Sequence, residues 1–186
     1  MTVKVPGPLC FALAGAVSGA VTTGFLFAFP SDWKIEIADF LVLSPMSIEA
    51  GLVFGVIFGA LLKLRGLADT RTAVLYALAS TAAYFVAVNL ALQVGDGLED
   101  IWLTGMIAGL AGSACLTAAA AALLPFVRRV KPIALMLVAG CLLGVLLEVA
   151  LADGATFWDW LLFYAAWQAG YAAAFATALS QSDAGA

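Results

Sequence analysis

Six stretches of this chain are almost wholly apolar: 9–29, 46–64, 73–92, 101–126, 133–151 and 157–179. Each is close to the roughly 20 residues that a helix needs to cross a hydrocarbon core. A soluble domain of 186 residues has no interior large enough to hide six such runs. Nor are there polar residues to cover them. The chain is 65% hydrophobic and 11% charged, where a soluble domain carries roughly 25% charge. The ten-residue alternation of a membrane β-barrel is absent. These observations predict an all-α, polytopic membrane protein: one domain over 1–186, a six-helix bundle with short loops, lying in a lipid bilayer.

Charge placement predicts the orientation. With both termini cytoplasmic, the inner segments hold Lys4, Lys63, Arg65, Arg71, Arg128, Arg129 and Lys131, and the outer ones hold only Lys34. That is the positive-inside pattern. Trp33, Trp102, Trp158 and Trp160 then form a belt at the outer interface, among the acids Asp32, Glu36, Asp39, Asp96, Glu99, Asp100, Asp153 and Asp159. The expected location is a prokaryotic inner membrane. Between the first two spans, 31–43 reads as a short amphipathic helix on the membrane surface, capped by Ser31, with Trp33, Ile37, Phe40 and Leu41 on one face.

Glycine spacing predicts how the helices pack. Gly51, Gly55 and Gly59 share one face of the second span. Gly105 and Gly109, and Gly140 and Gly144, repeat the motif in the fourth and fifth. Such faces let a second backbone approach closely. The partner is a helix of the same bundle or, alternatively, a second copy of the chain.

Polar residues inside the spans are costly and therefore informative. Glu49 and Glu148 each lie about one turn from an outer helix end, and Asn89 sits at similar depth. If their helices are neighbours, the three form a polar cluster that holds a cation or shares a proton. The competing reading is structural: Glu49 favoured by its helix dipole, Glu148 reaching out to headgroup water. Gln168 lies halfway along the last span. Tyr164, Gln168 and Tyr171 fall on one face. With Tyr76 and Tyr84 that face lines a pocket for an uncharged or aromatic ligand, or else makes an interhelical hydrogen bond.

The chain has no histidine, which removes imidazole catalysis and His-ligated metals. Cys10, Cys115 and Cys141 lack metal or disulfide spacing and read as small hydrophobes. No catalytic residue, metal, cofactor or nucleic-acid partner is expected, and an intramembrane enzyme is the weakest reading. Two classes remain: a transporter or channel for a small solute or cation, and a non-catalytic subunit of a larger membrane complex. In size and span count the chain is similar to the substrate-binding membrane subunits of vitamin-uptake transporters and to many assembly subunits. No motif chooses between them.

Overall fold

A computed structural model describes residues 7–29, 34–38, 41–95 and 101–183. The helices are α1 (Pro8–Ala28), α2 (Pro45–Leu64), α3 (Thr70–Gly95), α4 (Ile101–Leu123), α5 (Val130–Gly144), α6 (Leu146–Leu151) and α7 (Phe157–Asp183), with a single 3₁₀ turn at Pro125–Val127. Among the described residues, five helical runs are long and apolar enough to cross a membrane: Pro8–Ala28, Ser47–Leu64, Thr70–Val94, Trp102–Leu123 and Val130–Leu151. The 27-residue α7 is not among them, because Trp, Tyr, Gln, Ser and Asp interrupt its alanines.

Local chemistry sets the helix ends. Pro8 and Pro45 occupy the first turns of α1 and α2, where a missing N–H costs nothing. Ser44 N–H donates to Ser47 Oγ at 3.0 Å, and Ser47 Oγ donates to Ser44 O at 2.8 Å. After α2, Gly66 takes φ +68, and Leu67 N–H reaches back to Leu62 O at 2.9 Å. This glycine closure satisfies the last carbonyls and turns the chain. Asp69 accepts Thr72 N–H at 2.7 Å to start α3. Arg128 folds back over the end of α4, its Nε donating to Ala121 O at 2.6 Å.

Three antiparallel crossings hold the bundle, and glycine makes each possible. A Cβ built at Gly51, Gly55 or Gly59 would strike the α3 backbone at Ser80–Thr81, Ala77 or Ala73. One at Gly109 would strike the carbonyl of Gly140, and one at Gly105 that of Gly144. Gly15 and Gly19 of α1 lie equally close to Gln168–Ala169 and Ala165 of α7. The glycine faces thus meet helices of the same chain. Each long helix also packs on its neighbour in sequence, and α7 closes on α1, so the helices form a ring in chain order. Alternating directions gather Lys63, Arg65, Arg71, Arg128, Arg129 and Lys131 at one end, called here the basic end.

The structure revises three local expectations. Within 31–43 the described residues are not helical: Ile35–Ala38 and Leu41–Leu43 form an antiparallel β-ribbon, β1 and β2, pairing Ile35 with Leu43 and Glu36 with Val42. Ile35, Glu36 and Ile37 alternate with period two, and β-branched residues flanking one acid suit a strand better than a helix. Ser31, Trp33 and Phe40 fall outside the described residues, as do Asp32, Asp39, Asp96, Glu99 and Asp100. The run 133–151 lies in one membrane-length helical run, Val130–Leu151, whose hydrogen bonding is interrupted at Val145, between α5 and α6, where the backbone stays helical. The run 101–126 ends as a helix at Leu123, before Pro125.

Candidate functional site

The interior of the ring is aromatic toward the basic end and polar toward its middle. Near the basic end Phe58 meets Phe11 at 5.7 Å, Phe175 at 5.0 Å and Tyr76 at 5.5 Å between ring centroids. These buried rings, with Leu62 and Met136, fill the space between the helices. This plug was invisible as a set in the sequence, because its rings come from different spans.

Gln168 opens the polar zone. It is fully buried, and neither amide atom has a hydrogen-bond partner in the protein. Tyr164 and Tyr171 are buried on the same helix, as the spacing predicts. Tyr84 of α3 lies within hydrogen-bonding range of Gln168, Tyr76 within range of Tyr171, and Thr117 of α4 within range of Tyr171, yet none of these hydroxyls closes a well-aligned hydrogen bond. Ser18 and Thr22 of α1, Ser80 of α3 and one carboxylate oxygen of Glu49 are of the same kind. Buried polar atoms are normally satisfied, each orphan costing about 1–3 kcal/mol. Here α1, α2, α3, α4 and α7 each bury at least one such atom.

Single hydroxyls in helices carry little sequence signal, because many bond their own backbone. Thr23 donates to Gly19 O at 3.0 Å and Thr81 to Ala77 O at 3.0 Å. Their neighbours Thr22 and Ser80 do not. Only the fold distinguishes the two kinds.

Beside the polar zone, a cavity of about 140 Å³ lies between α3, α4, α5–α6 and α7. Tyr84, Trp160, Phe163, Tyr164 and Trp167 form its aromatic side; Gly109, Gly112, Gly144, Ala87, Ala91 and Ala108 leave the room. Trp167 is held in place by donating its Nε1–H to Gly140 O at 3.2 Å. That carbonyl is available because the α4–α5 crossing is built on glycine.

Each of the three residues expected to cluster has contacts of its own. Asn89 is committed to the β-ribbon: its Oδ1 accepts Val42 N–H at 2.6 Å, and its Nδ2 donates to Val42 O at 3.1 Å. Glu49 is half-buried and lies within electrostatic reach of Tyr164 on α7. Glu148, 8% exposed, sits just past the Val145 break, where Gly105 of α4 leaves space beside its carboxylate. Of the three, Glu49 is the one placed over the α7 polar face. No protein family, curated protein or solved structure matches the chain.

Proposed function

We propose that this chain is a six-span membrane protein of a prokaryotic inner membrane, with both termini cytoplasmic, that binds and carries a small neutral solute through its ring of helices. One observation carries the reading: five helices each hold a buried hydroxyl, amide or carboxylate atom that closes no well-aligned hydrogen bond within the protein. A bundle serving only as packing material would be more stable with apolar groups there. A solute bearing hydroxyl or amide groups supplies the missing partners during passage. The sixth crossing is supported by α7, which runs antiparallel to α1 in close backbone contact. The collection of basic residues at one end supports the orientation. The glycine faces, which would serve assembly with other subunits, are occupied within the chain.

The test is solute-driven swelling of proteoliposomes, followed by light scattering over a panel of small neutral solutes. Gln168→Met keeps the volume and removes both orphan amide atoms. It should leave the protein folded and lower flux about tenfold, the effect of losing about 1.4 kcal/mol. Wild-type proteoliposomes that swell no faster than empty ones for every solute would overturn the proposal.

A further inference from the structure

We infer that the cavity beside α7 binds a neutral, single-ring aromatic molecule carrying one hydroxyl, of the size of phenol; the inference rests on the solute-carrying reading above and names the substrate class.

Size sets the first limit. The cavity is about 140 Å³. An apolar protein cavity of about 150 Å³ takes up benzene, so one six-membered ring fits and two do not. Shape sets the second. Trp160 and Tyr164 are stacked, with centroids 5.8 Å apart, while Tyr84 and Trp167 meet nearly edge-on at 5.3 Å. Walls presenting both faces and edges suit an added aromatic ring, which prefers offset or edge-to-face contact. Charge sets the third. No lining residue is charged at neutral pH, and burying an ion there without a partner is prohibitive.

The hydroxyl follows from Tyr84. It lines the cavity, and its own hydroxyl closes no well-aligned hydrogen bond. Gln168, fully buried, lies within hydrogen-bonding range of that hydroxyl and positions it. A phenolic OH supplies the aligned partner that Tyr84 lacks. A purely apolar occupant such as an acyl chain leaves it unsatisfied.

The test is calorimetric titration of the protein in lipid nanodiscs with phenol and with toluene, corrected by empty nanodiscs. The two probes differ by one hydroxyl against one methyl. Saturable phenol binding is expected, stronger than toluene by about five- to tenfold, the worth of one hydrogen bond. Tyr84→Phe should bring the two probes to about equal affinity. Should that variant not fold, Gln168→Met must shrink the same ratio. Ala87→Phe, which fills the cavity, should abolish both. Toluene binding as tightly as phenol, or no saturable phenol heat beyond empty discs, would overturn the inference. The titration involves no gradient or flux. Phenol binding without solute flux would remove the carrying function alone, and flux without phenol binding would remove this inference alone.

Discussion

Asn89 holds Val42 by both of its backbone polar groups, accepting the N–H at 2.6 Å and donating to the carbonyl at 3.1 Å. A side-chain amide on α3 thus acts as a neighbouring strand for β2. Its Nδ2 also donates to Phe85 O at 2.9 Å, so the amide is anchored in its own helix first. Among the described residues, this side chain's hydrogen bonds and the short turn into α2 tie the ribbon to the bundle. Asn89→Leu should release it, leaving Val42 N–H and C=O in a half-buried site at a cost of about 1–3 kcal/mol. Hydrogen exchange of the peptide covering 41–43 should then rise sharply while exchange in α3 changes little. Unchanged exchange at 41–43 would show that the amide pairing does not hold the ribbon.

The α4–α5 crossing has no room for one methyl group. Gly109→Ala places a Cβ against Gly140 O and Gly144 Cα, both backbone atoms. Backbone cannot move aside as a side chain can, so the helices must separate and lose contact over their length. A loss of about 1–3 kcal/mol is expected, the usual cost of overpacking. Gly24→Ala is the control, because a Cβ there meets nothing within 4 Å. It should be neutral or stabilising by up to about 1 kcal/mol. Equal thermal midpoints for the two variants in detergent would refute the close-crossing account.

How much of this was readable in the residues depends on the length scale of the signal. The apolar runs and the glycine spacing are properties of single helices, and they led directly to the bundle and to Gly51, Gly55, Gly59, Gly105, Gly109, Gly140 and Gly144 as packing positions. The face Tyr164, Gln168, Tyr171 was legible for the same reason. What was not legible depends on which helices become neighbours. Depth alone grouped Glu49, Asn89 and Glu148, but α2 packs on α3 and α1, while α6 packs on α7, α4 and α5. Asn89 found its partners in a ribbon that had been read as a helix. The cavity also needed the fold, since its small residues come from α3, α4 and α5 and its large ones mainly from α7.

Tyr76 and Tyr171 face one another from α3 and α7, fully buried, their hydroxyls within reach of each other but in no well-aligned hydrogen bond. Replacing either with Phe removes an orphan polar atom and little volume. Tyr76→Phe and Tyr171→Phe should therefore keep or raise the thermal midpoint, and each should lower solute flux. Because the two act on one site, the double variant should lose no more flux than the worse single one. A fall in stability with flux intact would mean the hydroxyls serve packing, through bonds they make in the folded protein.

Asp69 lies outside the spans and caps α3. The Thr72 N–H that it accepts at 2.7 Å holds its carboxyl below the ordinary value of 3.8. A lowered folded-state pKa contributes stability above the unfolded value and loses it as pH falls through the folded one. Wild type should therefore melt above Asp69→Ala at pH 7, and the gap should narrow as the pH falls below 3.8. A gap that stays constant between pH 7 and pH 3 would show that the charge of Asp69 contributes nothing.

The sixth crossing decides the topology. By composition, not length, α7 falls short of the five apolar runs, yet its Tyr164–Ala165 and Gln168–Ala169 backbone lies against Gly19 and Gly15 of α1. If α1 crosses the membrane, an antiparallel partner in such backbone contact is expected to cross with it. Tyr164, Trp167, Gln168 and Tyr171, which lower the hydropathy of α7, are buried in the bundle rather than turned to lipid, so they do not oppose insertion as lipid-facing groups would. With Cys10, Cys115 and Cys141 replaced by alanine, single cysteines placed at Asp69, at Arg129 and after Ala186 should all be labelled from the same side by a membrane-impermeant maleimide. One placed at Gly154 should be labelled only from the other side. Labelling after Ala186 from the Gly154 side would mean that α7 does not cross, leaving five spans and the ring open on one flank. Its unpaired Gln168 and Tyr171 would then lie at the membrane surface, and the carrying function would lose its pathway.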